Sequence, residues 1–252
     1  DTGQLGYNFL TGGSRATFSS GMATVEAARE VMKESCKRAA KLWELPEDAV
    51  EYTGGAVRPA GPNAGKHEPM TLKEIAGIAG KTGGPIAGYA RINAHGAAPS
   101  LATHICDVEV DPETGRAWVV RYTAIQDAGR AIHPSYVEGQ YQGGVAQGIG
   151  WALNEEYIYD ADGRLENPGF LDYRVPVASD LPMIDTVIVE VPNPRHPYGV
   201  RGVGETPICP PMAAIANAVC NATGVRFTDL PMSPPKVLAA LDEARAKGAA
   251  KL

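Results

Sequence analysis

The chain has 252 residues, 44% hydrophobic and 21% charged, which excludes a disordered polypeptide and allows one large domain or two smaller ones with a sizeable core. A formal net charge of −6, with basic residues scattered apart from one helical face, excludes a nucleic-acid footprint and gives a polyanionic partner no support. Four cysteines, Cys36, Cys106, Cys209 and Cys220, stand far apart with no CxxC pair, so spacing spells out neither an iron–sulfur ligand set nor a zinc knuckle. They read as buried thiols of a reducing compartment. No apolar run approaches the ~20 residues of a membrane span and no charged-then-apolar leader is evident, so the expectation is a soluble, cytoplasmic protein.

The first residues, DTGQLGYNFLTGGSRATFSSGM, are rich in glycine and small hydroxyls and show neither helical nor strand period. They resemble the middle of a fold more than its beginning, which suggests a cleaved, split or excerpted polypeptide. From Met22 to Trp43 the positions Val25, Ala28, Val31, Met32, Ser35, Ala39 and Leu42 recur at helical spacing, opposite a charged side. Val50 to Val57, with a glycine pair at 54 and 55, predicts a strand and turn. RPAGPNAGKHEP is loop, and Thr71 to Glu74 is a capping box that opens a second helix.

Residues 101–126 carry the clearest β signal: LATHICDVEV and RAWVVRYTAIQD flank a DPETG turn, predicting a long hairpin. A helix is expected from near Ser135 through EGQYQGGVAQGIGWALNEE. Its five glycines each cost up to ~1 kcal/mol against alanine, so close packing against a neighbour is implied. YIYDADGRLENPG reads as another hairpin and MIDTVIVEVP as a strand. PPMAAIANAVCNATG is a buried helix stopped by Gly224, and Ser233 to Lys247 a final helix with prolines in its first turn. With no regular βαβ rhythm and no repeat, the class is α+β, read as one mixed α/β body.

Three small-residue stretches stand out as chemistry: TGGSR (11–15), EGQYQGGVAQG (138–148) and RGVGE (201–205). Glycine lets backbone amides approach a ligand closely, and successive N–H groups favour phosphate. Each is weak alone. A GGSR loop is more often a turn beside a helix cap, Gln140 or Gln147 a surface amide, and Glu205 a solvated loop end or an acid near the dipole of the helix starting at Pro210. The dipole reading leaves the glycines before Glu205 unexplained. The histidines His67, His95, His104, His133 and His196 show no metal-ligand spacing and read as hydrogen-bonded structure; no GxSxG serine elbow occurs.

RGVGETPICPPMAAIANAV with NATGVRFTDLPMSPPKV, HPSYVEGQYQGGVAQGIGWALNEE, LENPGFLDYRVPVASDLP and the opening DTG...TGGSRAT resemble, in order, the C-terminal part of the molybdenum-binding subunit of the molybdenum hydroxylases, the xanthine oxidase and aldehyde oxidoreductase family. The resemblance covers residues 1 to about 240, and on it residues 1–252 are the C-terminal portion of a molybdopterin-binding subunit, a split or excerpted chain. It implies that Glu205 is the catalytic base. In this family a glutamate in a GVGE loop deprotonates Mo–OH, the oxygen attacks an electrophilic C–H carbon, and hydride passes to Mo=S. A carboxylate on a glycine turn meets little bulk, and in a partly desolvated pocket its pKa rises toward the working pH.

By the same resemblance Gly12, Gly13, Ser14 and Arg15 bind the pterin and its phosphates, with Arg15 able to pair with a dinucleotide pyrophosphate. Gln140 matches a glutamine near the molybdenum ligands, and Gly204 gives the centre clearance. No residue of this chain is assigned as a metal ligand. The implied cofactor is molybdenum with molybdopterin, in the cytosine dinucleotide form; iron–sulfur clusters and FAD are expected on partner chains only. Those partners are a longer molybdenum-binding subunit, an iron–sulfur subunit and an FAD subunit. The substrate would be a small purine, N-heteroaromatic or aldehyde; Phe170, Tyr173 and Arg174 fit an entrance less well than surface or packing roles. A non-catalytic scaffold descended from such an enzyme is the alternative.

Overall fold

The chain divides into two units, Asp1–Thr11 with Arg15–His95, and Gly12–Ser14 with Gly96–Leu252. Where the sequence reads as one mixed body, each unit has its own sheet and its own apolar cluster. The computed structural model describes residues 3, 5–93, 96–97 and 99–248; Asp1 and Thr2 of the opening DTG, and His95, lie outside these.

In the first unit α1 (Ala16–Trp43) starts before the apolar period does. The hydroxyl-rich turn before Met22 is helical, and Thr24 Oγ1 donates back to Ser20 O at 2.9 Å. Ser35, Ala39 and Ala40 form the buried part of its face, whereas Met32 and Leu42 stay exposed. β1 (Val50–Thr53) and β2 (Ala56–Pro59) pair antiparallel about Gly54 and Gly55, whose φ of 59° and 81° suit a tight hairpin turn. β3 (Met70–Thr71) adds a third strand. The Thr71–Glu74 capping box forms as expected and opens α2 (Leu72–Gly77), which α3 (Ala79–Thr82) follows. Val50, Val57 and Ile75 close a small core over Ala39 and Ala40.

The second unit is built on β4 (Ala102–Val110) and β5 (Ala117–Asp127), the predicted hairpin, with β6 (Ile184–Val189) parallel to β5 on its other edge. Between β5 and β6 the chain passes through α4 (Pro134–Leu153), the glycine-rich helix. Tyr141, Val145 and Ile149 of α4 are buried with Tyr122 and Ala124 of β5, and with Ile215 and Val219 of α5 (Pro210–Thr223). α6 (Pro234–Ala246) adds Val237 and Leu241. The packing anticipated from the glycines holds at Gly144 and Gly148, where an added Cβ would sit 2.5 Å from Pro207 Cγ and 2.6 Å from Pro211 Cβ. Gly139 and Gly143, in contrast, face open space.

The expected second hairpin reduces to one bridge, Tyr159 with Leu165. Backbone bonds flank it, Asp160 N to Arg164 O at 2.9 Å and Glu166 N to Ile158 O at 2.7 Å, so the hairpin forms but is short, and side chains tie down its ends. Asn167 accepts from Ile158 N at 2.9 Å and donates to Glu156 O at 2.7 Å, while Asp160 Oδ1 accepts from the amides of Asp162 and Arg164. The cysteines also depart from expectation: all are free, but Cys36, Cys106 and Cys220 are only partly buried and Cys209 is exposed.

Candidate active site

The C-terminal end of β5 fixes the loop that carries Glu205. Asp127 and Arg201 form an ion pair at 2.9 Å, with side chains 12% and 17% exposed. Arg201 also donates to Val191 O and Pro99 O at 2.9 and 2.8 Å, and Asp127 Oδ1 accepts from the amides of Gly129 and Val191. One residue earlier, the buried Gln126 donates from Nε2 to Gly202 O, Val203 O and Ser100 Oγ.

From the other side the loop meets residues 12–14. Ser14 Oγ accepts from Val203 N at 3.1 Å and Gly204 N at 3.4 Å, and Gly13 N donates to Glu205 Oε1 at 3.1 Å. Gly13 and Ser14 both have left-handed backbone, φ 64° and 54°; serine pays for that conformation where glycine does not. Gln140 completes the cluster: a Cβ on Gly204 would lie 2.7 Å from its Oε1. Gly13, Ser14, Gln140, Gly204 and Glu205 are therefore brought together, with Gly12 half-buried beside them. Arg15 belongs to the other unit, where its guanidinium donates to Leu10 O and Ser19 Oγ and lies 5.6 Å from the centre of the Phe9 ring.

Glu205 is exposed, so the residues described here do not by themselves build the desolvated pocket anticipated for it. Nor is it an acid on the N-terminus of α5. A short 3-10 turn, Thr206–Ile208, intervenes, Cys209 is the N-cap, and the carboxylate is bonded to Gly13 instead. Among the described residues no cluster of three or more His, Cys, Asp or Glu is placed to hold a metal.

Of the remaining histidines, His104 Nδ1 lies 2.8 Å from the Tyr122 hydroxyl, with the rings edge to face. Burial lowers its pKa from 6.5 to about 4. The sequence reading missed Gln126, Asp127 and Arg201. IQDAGR looks like an ordinary strand end, and the only hint is an amide and an acid side by side where the strand stops.

Glycine-rich loops and a helix face thus converge on one carboxylate. The family model for the molybdopterin cofactor-binding domain matches residues 1–182, and the chain belongs to that family, within the molybdenum hydroxylases. It is similar to the putative xanthine dehydrogenase molybdenum-binding subunit XdhA of Escherichia coli strain K12, 38% identical over 67% of this chain and 23% of that one. It also resembles the gamma subunit of the 6-hydroxypseudooxynicotine dehydrogenase complex of Paenarthrobacter nicotinovorans, 31% identical over 89% of this chain and 29% of that one. Among solved structures, quinoline 2-oxidoreductase from Pseudomonas putida 86 superposes with a TM-score of 0.79 at 28% identity, covering 96% of this chain and 32% of that one. The α+β class thus stands, and the chain spans about a quarter to a third of the length of these relatives.

Proposed function

We propose that the chain supplies the base-bearing part of the active site of a heteromeric molybdenum hydroxylase. The observation that carries this is the Gly13–Glu205 hydrogen bond, which joins the two loops that the family resemblance assigns to cofactor and to catalysis. The residues fit a pterin with phosphates. Ser14 Oγ accepts two amides and keeps its O–H to donate; Gln140 makes no hydrogen bond among the described residues and keeps its N–H groups; and the missing Cβ of Gly204 leaves room beside them. Arg15, with five N–H donors of which two are engaged within the chain, retains capacity for a pyrophosphate.

When bound, the molybdenum centre supplies the oxygen to be transferred and receives the two electrons. Glu205 is the general base: its carboxylate, held by one backbone donor and otherwise open, takes the proton of the attacking oxygen. The substrate would be an N-heteroaromatic, purine or aldehyde with an electrophilic C–H carbon, where a C–O bond would form as the C–H bond breaks, its hydrogen leaving with the electron pair to the molybdenum centre. A longer molybdenum-binding subunit closes the pocket over Glu205, an iron–sulfur subunit and an FAD subunit carry the electrons away, and the pterin is the cytosine dinucleotide form. The described helices include none long and apolar enough to cross a membrane.

The assembly purified through this chain, analysed for molybdenum and pterin, tests the reading. Both are expected at full occupancy in wild type and in Glu205→Gln, with turnover lost only in the variant; a metal-free assembly would point to the scaffold alternative.

A further inference from the structure

The strand end that anchors the loop contains a side chain whose bonding is costly for stability alone. Gln126 is 1% exposed, and the two N–H groups of its Nε2 serve three acceptors, Gly202 O at 3.2 Å, Val203 O at 3.3 Å and Ser100 Oγ at 3.3 Å, so that one N–H is shared. Its Oε1 is buried with no hydrogen-bond partner among the described residues. An unmet buried acceptor is destabilising, and an apolar side chain of the same length would avoid it. Turning the amide over offers no escape, because Oε1 would then face two carbonyl oxygens. Ser100 Oγ, already donating to Asp127 O at 2.7 Å, is left to accept from the amide. The side chain is committed to the loop.

What it holds are the two peptide groups just before Gly204 and Glu205. The carbonyls of Gly202 and Val203 bind Gln126; the amides of the same two peptide groups, those of Val203 and Gly204, bind Ser14 Oγ. Each peptide plane is gripped at both its C=O and its N–H. Neither can rotate without breaking a bond on one side, so the backbone is fixed as far as the amide of Gly204, one residue before Glu205. With glycines at 202 and 204 on either side of Val203, this clamp supplies the fixed point from which the short step to Glu205 is taken.

We propose that Gln126 is a positioning residue for the reaction: it acts through the Gly202–Val203 carbonyls to hold Glu205 in line, without touching cofactor or substrate. This rests on the base role proposed above for Glu205. Backbone clamps of this kind matter because displacement of a catalytic group by about 1 Å costs up to ~10²-fold in rate.

The test compares Gln126→Met, of similar length and without a donor, with Glu205→Gln and the double variant, each in the assembled complex. Molybdenum content, substrate KM and kcat are measured. For Gln126→Met the expectation is metal content unchanged, KM within about twofold, and kcat down ~10-fold or more. In the Glu205→Gln background the same change is expected to have no further effect on kcat, because its only route is through Glu205. Wild-type kcat in Gln126→Met, a loss tracking lost molybdenum, or a full additive loss in the double variant would each overturn the proposal. Turnover retained by Glu205→Gln would instead remove the base role, so the two failures are distinguishable. Should Gln126→Met not assemble, Gln126→Asn, which keeps the amide one methylene short, takes its place with the same criteria.

Discussion

The amide of Gly13 donates to Oε1 of Glu205 at 3.1 Å across 192 positions of sequence. That single bond brings a glycine-rich loop near the start of the chain to the one acid of the RGVGE loop. Each is ordinary alone, and the proposed active site rests on their meeting.

Arg201 is the charged anchor of that loop. Arg201→Ala leaves Asp127 largely buried with only the Gly129 and Val191 amides for partners, so the variant is expected to lose roughly 2–3 kcal/mol, somewhat less than a fully buried pair. Denaturant titration of the variant against wild type checks this. Arg201→Lys should recover only part of the loss, since one ammonium cannot reach Asp127, Val191 and Pro99 together.

Two glycine-to-alanine substitutions should separate packing from chemistry. In Gly144→Ala the new methyl meets the Pro207 ring at 2.5 Å and the Ile208 amide at 3.1 Å; neither yields easily, and ~1–3 kcal/mol of destabilisation is expected. In Gly204→Ala the methyl meets only the tip of Gln140, which can swing away. Stability should change by less than ~1 kcal/mol while turnover falls. Thermal melts and kcat, measured on both, decide the contrast.

His104 makes stability pH-dependent. Its folded pKa of about 4 lies below the unfolded 6.5, so between those values the unfolded chain binds more protons. The stabilising contribution is complete above pH 6.5 and lost as pH falls through about 4. Allowing for partial exposure of the ring, about 1–2 kcal/mol is expected over that window. Denaturant midpoints between pH 7.5 and 4.5 should fall less steeply in His104→Gln than in wild type.

Thiol reactivity should follow exposure. Cys209 is exposed, whereas burial pushes the Cys106 thiol up to about 12 and raises that of Cys36. In the isolated chain, iodoacetamide followed by peptide mapping should label Cys209 first and Cys106 last.

Local signals account for most of what the sequence disclosed. The capping box at Thr71, the turn glycines 54, 55 and 115, and the Gly224 stop each act within a few residues, and all appear where expected. The three glycine-rich stretches stand out by composition, but that Glu205, Gln140 and residues 12–14 would meet is suggested only by family resemblance, since nothing within four residues of any of them points to the others. Gln126 was not legible at all: its partners lie 76 and 77 positions away, and a glutamine at a strand end ordinarily faces water. The parallel pairing of β5 with β6 is likewise a long-range outcome. The hairpin at 157–169 forms but stays short: one bridge and two flanking backbone bonds, after which Asn167 takes over the bonding of Ile158 N and Glu156 O.

The most direct measurement is the rate at which substrate reduces the assembled complex in a single turnover, wild type against Glu205→Gln, at matched molybdenum content. With a base at position 205 the variant should be slower by ~10²–10⁴-fold. Reduction within a few-fold of wild type, with the metal fully in place, would contradict it.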